Sequence, residues 1–180
     1  MGRATIVLLG LVIVLGVATV LFKFSEGQTR IMNMDLSSSS FKFRETIPEE
    51  YTCRGKDINP PLELGAIPKE VVSLALVLED PDSPGGTFSH WVVWNLPPSL
   101  KEIPANWTVP AGTGVGTNDF GKSVYGGPCP NSGTHHYHFI VYGLDQKVDL
   151  PVGSNRKQLL SAIAGHVVAQ GELVGLASSH

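Results

Sequence analysis

The sequence predicts a mainly β protein: an antiparallel β-sandwich with one or two short helices near its C-terminus, preceded by an N-terminal transmembrane helix. Three observations point there. Short apolar runs rich in β-branched and aromatic residues occupy 71–79, 88–96 and 135–144, each bounded by turn residues. Twenty glycines and 13 prolines in 180 residues leave few windows for a helix of ordinary length. One uncharged stretch, ATIVLLGLVIVLGVATVLF at 4–22, is long enough to cross ~30 Å of hydrocarbon as a helix and stands ahead of everything else.

Taken in order, residues 1–24 read as the anchor, 25–33 as a polar tether and 34–180 as one folded domain, the size a single core can fill. Arg3 and the amino terminus precede the apolar run and Lys23 follows it, which favours an N-terminus inside and a domain outside. A cleaved signal peptide is the rival, with Gly16-Val17-Ala18 as its small-x-small site. Because the apolar run continues to Phe22, the uncleaved anchor is preferred. The domain is then membrane-anchored outside the cytoplasm, or secreted or periplasmic if the segment is removed.

DLSSSSFKF (35–43) begins to alternate at its end and reads as a first strand. The following 47–68 is dense in Pro, Gly and polar residues and reads as loop with a short extended piece. VVSLALVLE, FSHWVVWNL and HHYHFIVYGL are strands, with Trp91 and Trp94 as core aromatics, and 104–133 is loop with short extended pieces. RKQLLSAIAG, capped by Ser154 or Asn155, has Leu159, Leu160 and Ile163 at helical spacing; GELVGLA closes the chain as a strand.

The chain carries 13 basic and 16 acidic residues, with no basic run or basic helix, so recognition of a nucleic-acid backbone is discounted. Cys53 and Cys129 allow a single intrachain disulfide, the alternative being two buried thiols. An unpaired Cys129, inside a Gly-Pro loop, would be a candidate reactive thiol. There is no G-x-S-x-G elbow and no serine or cysteine with an evident base, which argues against a hydrolase.

The chemistry concentrates in EDPDSPGGTFSHW, residues 79–91. If Asp80 and Asp82 leave their strand extended, they share one face, and Pro81 and Pro84 restrict the backbone that presents them. His90, on the next strand, is a natural partner for them. The plainer readings are a turn in which an Asp caps a backbone N–H, and a core histidine bonded to a carbonyl. Farther on, His135 and Tyr137 share one strand face, while His136 and His138 share the other and read as surface or packing residues. YGGPCPNSG before them is a loop whose backbone can approach a ligand closely. A zinc or iron site from Asp80, His90 and His135 is set aside because no dense ligand motif such as H-E-x-x-H accompanies them.

Asp-Pro-Asp-Ser-Pro then His-Trp, followed by Gly-Pro-Cys-Pro then Gly-x-His-x-Tyr, resembles the two signature blocks of the phosphatidylethanolamine-binding protein family, also called Raf kinase inhibitor-like proteins. The likeness runs from about Met34 to the C-terminus and is greatest to the bacterial and archaeal branch, which shares the Asn-Pro-Pro-Leu element at 59–62. It implies a β-sandwich with a small preformed anion pocket formed here by Asp80, Asp82, His90, Gly127, Pro128, His135 and Tyr137, with no cofactor and no required metal. The implied role is non-enzymatic binding of phosphate-bearing or carboxylate ligands such as phospholipid head groups. Inhibition of a protease or kinase through surface loops is the alternative, as known for some relatives. The chain departs from the family pattern at His136, where arginine is usual, at Ser89, where an aromatic is usual, and at Leu64, where the prokaryotic pattern has tryptophan.

Overall fold

The computed structural model describes residues 30–179. Among these residues, nine strands lie in two sheets. The larger has the order β1 (Met32–Asn33), β9 (Val167–Ser178), β8 (Thr134–Leu144), β4 (Ser73–Asp80), β5 (Phe88–Leu96), β7 (Gly114–Val115). The smaller has the order β2 (Leu36–Ser37), β3 (Leu62–Leu64), β6 (Glu102–Ile103). All named pairings are antiparallel except β1 with β9, where Met32 stands opposite Ala169 in parallel.

The central strands are buried on both faces, which explains why β4 reads as a continuous apolar run rather than an alternating one. One face carries Leu74, Leu76, Leu78, Trp91, Val93, Phe139 and Val141 against Leu36, Leu62, Leu64 and Ile103 of the small sheet. The other carries Ala75, Val77, Val92 and Trp94 against Leu159 and Ile163 of α1 (Arg156–Ile163). Both tryptophans are therefore core residues, one on each side of the sheet. Asn155 is the cap of α1: its side chain accepts from the Gln158 N–H while the Gln158 side chain accepts from the Asn155 N–H.

The fold is thus mainly β with one α-helix near the C-terminus. The strand expected over 35–43 shrinks to Leu36–Ser37: beyond it the Ser38 hydroxyl accepts from the nearby Ser40 N–H, a local bond that competes with the ladder, and donates across to the Pro61 carbonyl. Met32 and Asn33, read from sequence as tether, are held as β1. The expected anchor at 1–24 lies outside the described residues; among those described, no helix is long and apolar enough to cross a membrane.

Candidate functional site

Asp80 is the last residue of β4, and there the ladder stops. The chain turns at Pro81, and Asp80 Oδ1 accepts from the Asp82 N–H at 2.9 Å, an Asx turn. Its other oxygen, Oδ2, accepts from His135 Nδ1 at 2.7 Å, and both side chains are largely buried. The turn carries Asp82 away from Asp80. Asp82 Oδ2 accepts from both the backbone N–H and the Nδ1 of His136, each at 2.8 Å, on the more open side of the sheet. The shared face expected for the two aspartates is therefore not realised: a period of two holds only while the strand continues.

His90 is positioned by a β-bulge. Leu78 stands opposite Trp91 and Glu79 opposite Ser89, leaving His90 as the extra residue on β5. Regular alternation would put His90 with Val92 and Trp94 on the helix side; the bulge resets the parity. The His90 ring instead lies 5.1 Å from the Phe88 ring, 5.3 Å from Phe120 and 5.3 Å from Tyr137. Its Nδ1–H donates to the Gly126 carbonyl at 2.8 Å rather than to either aspartate. Burial holds its imidazole below the ordinary histidine range, outweighing the Gly126 carbonyl and the Asp80 carboxylate. A neutral His90 bonded through Nδ1 offers Nε2 as an acceptor.

Between these residues lies a cavity of about 200 Å³, lined by Asp80, His90 and His135 with Phe88, Phe120 and the loop Cys129 to Ser132. Tyr137 is fully buried, its ring stacked 6.5 Å from that of His135. The Tyr137 hydroxyl faces the Asp80 carboxylate and the Cys129 backbone without meeting hydrogen-bond geometry to either, and has no partner among the described residues. Burial raises its pKa well beyond the ordinary tyrosine range, so it stays a donor.

Gly127 and Pro128 serve the frame rather than the cavity. The Gly127 N–H donates to Asp57 Oδ1 at 2.6 Å and the Pro128 carbonyl accepts from the Cys53 N–H at 3.1 Å. A Cβ on Gly127 would lie 2.6 Å from the Tyr51 carbonyl oxygen, so glycine is what lets the two loops touch. Cys53 and Cys129 are joined in a disulfide, with Cα atoms 5.5 Å apart, that clamps the same two loops. Sequence reasoning missed Phe88 and Phe120 as cavity walls; Phe88 sits two residues before His90, and that spacing was its signal.

Residues 37–178 match the family model for phosphatidylethanolamine-binding protein. The chain belongs to the phosphatidylethanolamine-binding protein family. It is 48% identical over 149 residues to a UPF0098 protein of Pyrococcus horikoshii, covering 77% of this chain and 74% of that relative. To a UPF0098 protein of Methanothermobacter thermautotrophicus it is 43% identical, covering 79% of this chain and 97% of the relative. Among solved structures, a phosphatidylethanolamine-binding protein homologue of Chlamydia trachomatis superposes with a TM-score of 0.78 at 35% identity, over 82% of this chain and 99% of that one. YbcL of E. coli, described as a member of the mammalian family, superposes with a TM-score of 0.75 at 28% identity, with the same coverage. Family membership accounts for the signature blocks falling around one cavity. It also brings a ligand-binding fold.

Proposed function

We infer that this family member captures a small anion, a phosphate ester or a carboxylate such as a phospholipid head group bears, without turning it over. The observation that carries the reading is the cavity lined by Asp80, His90 and His135, with His135 already oriented through Nδ1 by Asp80 and the buried Tyr137 hydroxyl, unpaired among the described residues, behind it. Asp80 belongs to the histidine rather than to the ligand. With Nδ1 committed to a carboxylate, His135 has Nε2 left for a guest, and in its imidazolium form it donates a charge-assisted bond of roughly 1.5–3 kcal/mol. His90 Nε2 adds an acceptor, suited to an acidic ligand O–H or an ammonium. Nothing resembling an activated nucleophile stands in this set, since Cys129 is held in the disulfide.

The apolar run ahead of the domain and the disulfide together support a domain held outside the cytoplasm by an N-terminal anchor. Calorimetry of the domain with inorganic phosphate and phosphoethanolamine tests the pocket. Binding to wild type that disappears in His135→Ala is the expected result, and equal affinity in the two proteins would reject the assignment.

A further inference from the structure

Asn106-Trp107-Thr108 is the one Asn-x-Ser/Thr triplet in the chain, and its middle residue is not proline. Such a triplet can accept a glycan only where its amide is free and faces water outside the cytoplasm. The other asparagines supply a contrast. Asn59, Asn95, Asn118 and Asn155 all commit their side chains to backbone groups. The Asn106 side chain is exposed and makes no hydrogen bond among the described residues.

The local structure sets the triplet out toward solvent. Asn106 follows β6 in a turn and has a φ of 54°, a left-handed backbone that asparagine tolerates. The turn is fixed from beneath by buried Asn59, whose carbonyl accepts from the Asn106 N–H at 3.2 Å and whose Oδ1 accepts from the Trp107 N–H at 2.7 Å. From there the sides alternate. Trp107 and Val109 pack on the main core, the Trp107 ring 6.3 Å from that of Trp91, while Asn106 and Thr108 are exposed. Backbone strain explains an asparagine at 106. It gives no reason for a threonine at 108, exposed and with no side-chain hydrogen bond among the described residues. A glycan acceptor needs both the amide and the hydroxyl.

Resting on the placement of the domain outside the cytoplasm, which the apolar run and the Cys53 to Cys129 disulfide support, we propose that Asn106 is an N-glycosylation site. The donor class is an oligosaccharide linked to a lipid phosphate. Asn106 Nδ2 attacks the anomeric carbon, the C–N bond forms as the C–O bond to phosphate breaks, the lipid phosphate leaves with that electron pair, and the Nδ2 proton passes to a base of the transferring enzyme. Asn106 lines a cavity of about 600 Å³ and not the one that holds His135, so the attachment point lies off the anion pocket.

The test uses full-length protein recovered from its native cells. Trypsin, cutting after Lys101 and Lys122, releases residues 102–122 with Asn106 as the one acceptor. Fragment-ion mass spectrometry should place a sugar mass on Asn106. Asn106→Gln and Thr108→Ala should each lose that mass completely, and Thr108→Ser should keep it, because serine supplies the same hydroxyl. Protease added to intact cells reads the placement of the domain in the same preparation. A domain cut from outside whose 102–122 peptide is unmodified overturns the glycosylation site and leaves the outside placement standing. A domain that protease reaches only after the cells are opened overturns both. A sugar mass that survives in Thr108→Ala also overturns the site.

Discussion

Replacing Tyr137 with phenylalanine separates a binding residue from a structural one. The hydroxyl is buried, without a hydrogen-bond partner among the described residues, and held protonated by burial. Deleting a buried hydroxyl that makes a hydrogen bond normally costs about 0.5–1.5 kcal/mol of stability, but deleting an unsatisfied one removes only a desolvation penalty. Tyr137→Phe should therefore leave urea-unfolding stability unchanged or raise it by up to about 1 kcal/mol. The same hydroxyl, donating to an anion, forms a bond worth roughly 1.5–3 kcal/mol, which is about ten- to 150-fold in affinity. Paired measurements on one preparation, phosphate calorimetry and urea unfolding, read both quantities. The reasoning fails if phosphate affinity changes less than about threefold, or if stability drops by more than about 1 kcal/mol, which would mean that the hydroxyl is satisfied inside the fold.

Two further outcomes follow from the same geometry. Cys53 and Cys129 close a loop with a sequence separation of 76, so replacing both with serine should cost up to about 4.5 kcal/mol in non-reducing urea unfolding; a loss below about 1 kcal/mol would contradict the clamp assigned to these loops. His90 titrates below its ordinary value of 6.5 in the folded state, so between the two values the unfolded chain binds the extra proton. Its contribution is fully present above pH 6.5 and is lost as pH falls toward the lowered folded value. Urea midpoints at about pH 7.5 and about pH 5.5 should differ less in His90→Gln than in wild type, and an unchanged difference would show that His90 is not held neutral by burial.

Local pattern determined a good deal by itself. Phe88–Leu96 was readable in full because β-branched and aromatic residues fill it and turn residues bound it. The Asn155 cap was one of two candidates; the other, Ser154, donates its hydroxyl back to the Pro151 carbonyl. The signature blocks marked the chemistry-bearing residues because each block is contiguous in sequence. Tertiary structure decided which of those residues meet. Parity along a strand predicts shared faces only while the ladder is regular, and here a turn after Asp80 and a bulge at His90 each break it. The antiparallel register that sets Glu79 opposite His138 brings the end of β4 beside Tyr137 and His135, giving Asp80 to His135 and leaving His90 to the Gly126 carbonyl. Contacts of that kind join residues 36 to 55 positions apart, and no short-range preference encodes them.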